Sequence, residues 1–181
     1  MKDVSLYKNG LRLRKPWGIE VLIGSVPGLE LWELRMEPGS ATSLHLHANK
    51  HTGLVTLSGN ACLVLASGAI DLAPGDSHFI AAATPHRIVA REAVVLWELE
   101  SPPDKEDIQR LDDRYGREGR PFLFGTSVLP PRVAESDGAK PPQKALDVLL
   151  AMFAARRVRP RRDTTMRELA DDILEQATRN R

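Results

Sequence analysis

The chain has 181 residues, of which 42% are apolar and 27% charged, with a formal net charge of +1. That is enough to bury one core plus an extension, and too near neutrality to draw the whole molecule to nucleic acid or an anionic membrane. A single cysteine, Cys62, excludes an intramolecular disulfide and suits a reducing compartment.

The N-terminal text MKDVSLYKNGLRLRKP holds no apolar run of signal-peptide length, and no stretch of the chain is long and apolar enough to span a bilayer. The expected setting is the cytoplasm, with neither membrane nor nucleic acid as a partner. From Gly18 to Leu99 short apolar or alternating runs follow one another: IEVLIGS, LELWELRM, LVTLSG, ACLVLAS, AIDLA, SHFIAA, HRIVAR and AVVLWELE. Each has strand length, and turn chemistry (VPG, EPGS, SGN, PGD) separates them. Many short strands without helical period predict an all-β antiparallel sandwich or barrel.

After Ser101 the text becomes charged, and a short helix is expected around Lys105 to Asp112. Residues 118–142, rich in Pro, Gly and Ser, read as a linker or extended arm. QKALDVLLAMFAARRV then carries Leu146, Leu149, Leu150 and Phe153 at helical spacing. Thr165 and Glu168 form a capping box ahead of Met166, Leu169, Ile173 and Leu174, one face of a final helix. The expected organisation is therefore a barrel over residues 1–117, an arm over 118–142 and a C-terminal helical extension over 143–181. Five arginines between Arg156 and Arg162 lack interleaved aromatics, so a solvated helix end explains them better than a nucleic-acid patch.

Three of the five histidines fall in SLHLHANKHTG, residues 43–53. Residues i and i+2 of a strand share a face, so His45 and His47 project together, while His51, adjacent to Thr52, is turned to the face opposite Thr52. Counted from Gly39, the order is five residues, His45, one residue, His47, four residues, Thr52, six residues, Gly59. This resembles the first motif of the cupin superfamily, with Thr52 where a glutamate is usual. Gly75, Ala81, Ala83 and His86 match the spacing of the second motif, with alanine in place of its proline and glycine.

The resemblance implies a cupin, that is, a double-stranded β-helix or jelly-roll barrel. It also implies one divalent transition metal ion (Zn, Fe, Ni, Mn or Cu) on His45, His47 and His86. Three imidazoles leave coordination positions open for substrate or water, which is a catalytic arrangement. KPWGIE (15–20), TPHR (84–87) and DIQRLDDRYGR (107–117) further resemble, in order, landmarks of the cupin domain of type II mannose-6-phosphate isomerases, and LHLHANK is similar to small sugar-pathway cupins. A sugar or sugar-phosphate isomerase is the function this implies, acting on a small molecule such as a sugar phosphate or sugar nucleotide, as a homodimer.

Such chemistry needs a base beside the metal, and Lys50, His78 and Arg87 are the polar groups expected near the mouth. His78 is equally read as a core histidine, and Arg87 as a phosphate fork or a surface arginine. A non-haem Fe(II) dioxygenase and a non-catalytic carbohydrate- or metabolite-binding cupin are the competing functions.

Overall fold

The computed structural model describes residues 10–130 and 143–156, together with Glu168, Asp171, Asp172 and Glu175. Alternating runs become strands where the sequence places them. They are β1 (Arg12–Lys15), β2 (Gly18–Val26), β3 (Leu29–Met36), β4 (Leu44–Leu46), β5 (His51–Ser58) and β6 (Ala61–Leu65). Next come β7 (Gly68–Leu72), β8 (Ser77–Ile80), β9 (His86–Ala90), β10 (Val94–Ser101), β11 (Gln109–Asp112) and β12 (Ser127–Leu129). The helix α1 (Gln143–Ala155) follows.

The strands form two sheets, one ordered β12-β1-β2-β3-β10-β5-β8 and the other β11-β4-β9-β6-β7, with antiparallel pairing throughout. This is the two-sheet antiparallel jelly roll that the sequence led us to expect. Trp17, Trp32, Leu34, Leu54, Leu63, Ile80, Ile88 and Leu96 fill the space between the sheets.

The larger sheet buries its outer face too. Leu29, Leu31, Val55, Trp97 and Leu99 point away from the barrel and meet Leu146, Leu149, Leu150 and Phe153 of α1. Gly53 makes this approach feasible, because a Cβ there would come within 2.7 Å of the Phe153 ring. An apolar helical face that would be costly in water is thus buried on the barrel, each Leu or Phe contributing about 1.5–3 kcal/mol.

One expectation changes. Residues 105–108 form turns, not a helix, and 109–112 form β11, pairing with β4. Sheet completion outweighs the weak helical preference of this short charged run. The arm over 118–142 begins as docked structure, since β12 pairs with β1 and Phe122 is buried in the barrel core. The expected final helix over 165–178 lies mostly outside the described residues; Glu168, Asp171, Asp172 and Glu175 are helical and exposed.

Candidate metal centre

β4 and β9 are neighbours, and His45 stands directly opposite His86 in their register. His47 follows one residue beyond β4 with the parity of His45. The rings are 4.4 Å (His45–His86), 4.9 Å (His45–His47) and 5.4 Å (His47–His86) apart between centroids. One ligand atom from each lies within 4.8 Å of the others, and all three side chains are buried.

Each ring is turned by its Nδ1. That of His45 meets the Ser43 carbonyl at 2.9 Å, that of His47 the Asp107 carbonyl at 2.5 Å, and that of His86 the Thr84 carbonyl at 2.9 Å. A carbonyl only accepts, so each Nδ1 carries the proton and each Nε2 presents its lone pair. The Asp107 carboxylate also accepts the backbone N–H groups of Ala48, Asn49 and Lys50 at 2.7, 2.8 and 2.9 Å, clamping the turn after His47. Ala83 sits at φ +61°, the left-handed conformation that suits the motif's usual glycine, and its N–H reaches the His47 carbonyl at 2.6 Å.

Burial, aided by the neighbouring imidazoles, holds His45 well below its usual range. Burial and the Lys50 ammonium lower His47 to about 3, although Glu100 pulls the other way. Burial lowers His86 to about 4 against its bond to Thr84. All three are therefore neutral ligands at physiological pH. Neutral nitrogen donors suit a divalent transition ion and suit magnesium or calcium poorly.

The histidines line a cavity of about 50 Å³ shared with Lys15, Glu20, Lys50, Glu98, Glu100, Lys105, Arg110 and Phe122. Glu100 accepts from Lys50 and Lys105 at 2.8 Å each, while its second oxygen is buried with no hydrogen-bond partner among the described residues. Burial alone would raise Glu100, and the ammonium groups of Lys105 and Lys50 reverse this to about 2. Burial and the adjacent Glu100 charge push Glu98 up to about 7. Two carboxylates two residues apart on β10 therefore differ in charge near neutrality: Glu100 is ionised, and Glu98 is poised to exchange a proton.

Of the other residues singled out in the sequence, Lys50 reaches this cavity, but His78 and Arg87 do not line it. His78 shares its depression with His51, Phe79, Thr84 and Arg156, at the edge of β8. Arg87 donates to the Thr42 carbonyl and to both the carbonyl and carboxylate of Asp112. His51 accepts the Ala82 N–H at 3.1 Å and stacks on Phe79, apart from the three buried rings. Thr52 is buried opposite Glu100, and its hydroxyl has no hydrogen-bond partner among the described residues.

Sequence reading missed Glu98, Glu100, Lys105 and Asp107. The signal was present in LWELE, where two glutamates alternate with Trp97 and Leu99. Alternation taken alone would turn the apolar pair inward.

Residues 32–98 match the cupin domain family. Alginate biosynthesis protein AlgA of Pseudomonas putida is 26% identical over 125 residues, covering 67% of this chain and 26% of that protein. Mannose-1-phosphate guanylyltransferase of Klebsiella pneumoniae is 26% identical over 117 residues, 62% of this chain and 25% of that protein. The chain thus spans about a quarter of the length of these curated relatives. Among solved structures, a sugar phosphate isomerase from a cupin superfamily of Silicibacter pomeroyi is 16% identical, with a TM-score of 0.44 over 69% of this chain and 83% of that one.

Proposed function

We propose, from the premise that this chain carries a cupin domain, that it binds one divalent transition ion and isomerises a sugar or sugar phosphate. The observation that carries the reading is the convergence of three buried imidazoles whose Nδ1 protons are all committed to backbone carbonyls. His45, His47 and His86 would hold the ion, which when bound would polarise a substrate carbonyl or hydroxyl.

The chain's own groups supply the rest. Glu98, pushed up to about 7, fits the task of taking a proton from one sugar carbon and returning it to the next. Glu100 stays ionised and fixes Lys50 and Lys105 at the cavity wall. Lys50 is the residue we assign to orient a substrate oxygen. His78 and Arg87 lie outside the cavity lining and carry no role in this scheme.

The names of the curated relatives support a sugar-pathway ligand, as does the mannose-6-phosphate isomerase resemblance. The protein takes a small-molecule substrate and works as a homodimer in the cytoplasm. Cys62 as a free thiol supports the last, and the exposed edge strand β7 offers the dimer a surface. Among the described residues, no helix is long and apolar enough to cross a membrane.

The test is aldose–ketose interconversion of hexose phosphates by purified protein, before and after chelation. Activity should vanish with the chelator and return with a transition ion. Glu98→Gln should abolish turnover while metal content is kept, and His47→Ala should lose the metal. Full metal content in His47→Ala would overturn the site. Metal without interconversion across the sugar panel would favour a non-catalytic binding cupin, a reading that Thr52 in the usual glutamate position also supports. Fe(II)-dependent oxygen uptake would instead point to a dioxygenase.

A further inference from the structure

The histidine cavity is small for a ligand site. At about 50 Å³ it holds a few waters, whereas small-molecule pockets run to about 300–1,000 Å³. One side chain of the arm takes up space beside it. Of residues 118–130, Phe122 alone is buried; its neighbours Arg120, Pro121, Leu123 and Phe124 are exposed. Its ring lines the cavity, with the Lys15 ammonium 3.3 Å and the Lys105 ammonium 5.6 Å from its centroid.

The rest of the arm is held by hydrogen bonds: Glu118 accepts the Asp113 N–H at 2.8 Å, Phe122 donates its N–H to Glu106 at 3.5 Å, and Arg12 donates to the Pro130 carbonyl at 3.2 Å. β12 pairs with β1 over only three residues, and the side chains of Ser127 and Val128 are exposed. Arg110 donates to the carbonyls of Arg120, Pro121 and Phe122 at 2.7, 3.4 and 3.4 Å, while its buried Nε has no partner among the described residues. Lys15 donates to Thr126 at 3.1 Å. Gly119 and Gly125, at φ +65° and +72°, bracket the phenylalanine where the backbone turns. Such positions absorb a hinge rotation readily.

We propose that residues 118–130 are the gate of the metal cavity and that Phe122 is its latch. In the closed form the ring fills space beside the imidazoles. When the arm swings outward, Lys15, Lys105 and Arg110 are bared to an incoming ligand and the cavity reaches useful size. Phe122 thereby sets the size of ligand admitted. The proposal rests on the reading of this cavity as the ligand site, but its test needs neither metal nor turnover.

Diethylpyrocarbonate modifies the unprotonated imidazole nitrogen that it can reach. Metal-free full-length protein would be treated at neutral pH and each histidine followed by peptide mass spectrometry, with His51 as internal control. Phe122→Ala should speed modification of His45, His47 and His86 relative to His51 by roughly ten- to a hundred-fold, the range expected when one buried aromatic no longer holds an opening equilibrium. Circular dichroism checks that the barrel remains folded.

The opposite perturbation ties the gate shut. Arg12 and Leu129 face each other in the β1–β12 register, at a spacing a disulfide spans. Arg12→Cys with Leu129→Cys, in a Cys62→Ser background, should slow modification of the three histidines several-fold when oxidised. Reductant should restore the parental rate. Unchanged relative rates in Phe122→Ala, or in the oxidised double-cysteine variant, would overturn the gate.

Discussion

Removing the metal should make the protein acid-sensitive in a narrow window. In the folded, metal-free chain His47 titrates at about 3, His86 at about 4 and His45 well below its usual value, whereas an unfolded histidine titrates near 6.5. Depressed folded values mean that the unfolded state binds more protons as pH falls, so stability present above pH 6.5 is lost on acidification. Three such protons give a slope of about 4 kcal/mol per pH unit once the unfolded histidines are fully protonated. Glu98 acts in the opposite sense. Its folded value is raised to about 7, so it contributes stability at low pH that is lost as pH rises through 7.

Integrated from pH 6.5 to 4.5, the three histidines remove about 7 kcal/mol and Glu98 returns about 2, a net loss of about 5 kcal/mol. That compares with total domain stabilities of about 5–15 kcal/mol. Glu100 and the aspartates do not blur the window, because their folded values are lowered from carboxylate values and their contributions are lost below it. The assay is urea unfolding of chelator-treated protein at pH 6.5, 5.5 and 4.5, followed by fluorescence of the buried Trp17, Trp32 and Trp97. Glu98→Gln should deepen the loss to about 7 kcal/mol, and a saturating transition ion should flatten the profile by excluding protons from the nitrogens. Metal-free stability that is level or rising as pH falls across this window would refute the neutral, buried assignment of the histidines.

Thr52→Glu should place a carboxylate beside Glu100 in the interior, lowering metal-free stability while tightening metal binding; paired thermal unfolding with and without the ion reads both effects. Asp107→Ala should weaken metal binding about tenfold by freeing the three N–H groups that its carboxylate clamps, measured by chelator competition at constant pH. Ala83→Gly should raise stability by about 1 kcal/mol, since glycine accepts the left-handed backbone that alanine holds under strain; denaturant midpoints are the readout.

The resemblance to the cupin motifs supplied His86, but strand alternation by itself predicted an antiparallel sandwich or barrel and the shared face of His45 and His47. Both are local properties. Parity places His45 with His47, and the turn-separated runs demand antiparallel pairing, so little could redirect them once the sheets form. The apolar face of residues 143–156 was equally legible as a helix that must bury Leu146, Leu149, Leu150 and Phe153.

Only the tertiary structure decided where that helix docks, and with it which side of β10 faces the site. Trp97 and Leu99 can turn outward because α1, some forty residues later, covers them. Glu98 and Glu100 can then turn inward because Lys50, from fifty residues earlier, and Lys105, from the turn just after β10, accompany the charge. The same dependence on distant chain gave residues 109–112 a strand partner in place of a helix, and brought Asp107 to the ring of His47. A period-2 pattern says that the two faces of a strand differ, but which face meets the cavity depends on what the rest of the chain lays against the other.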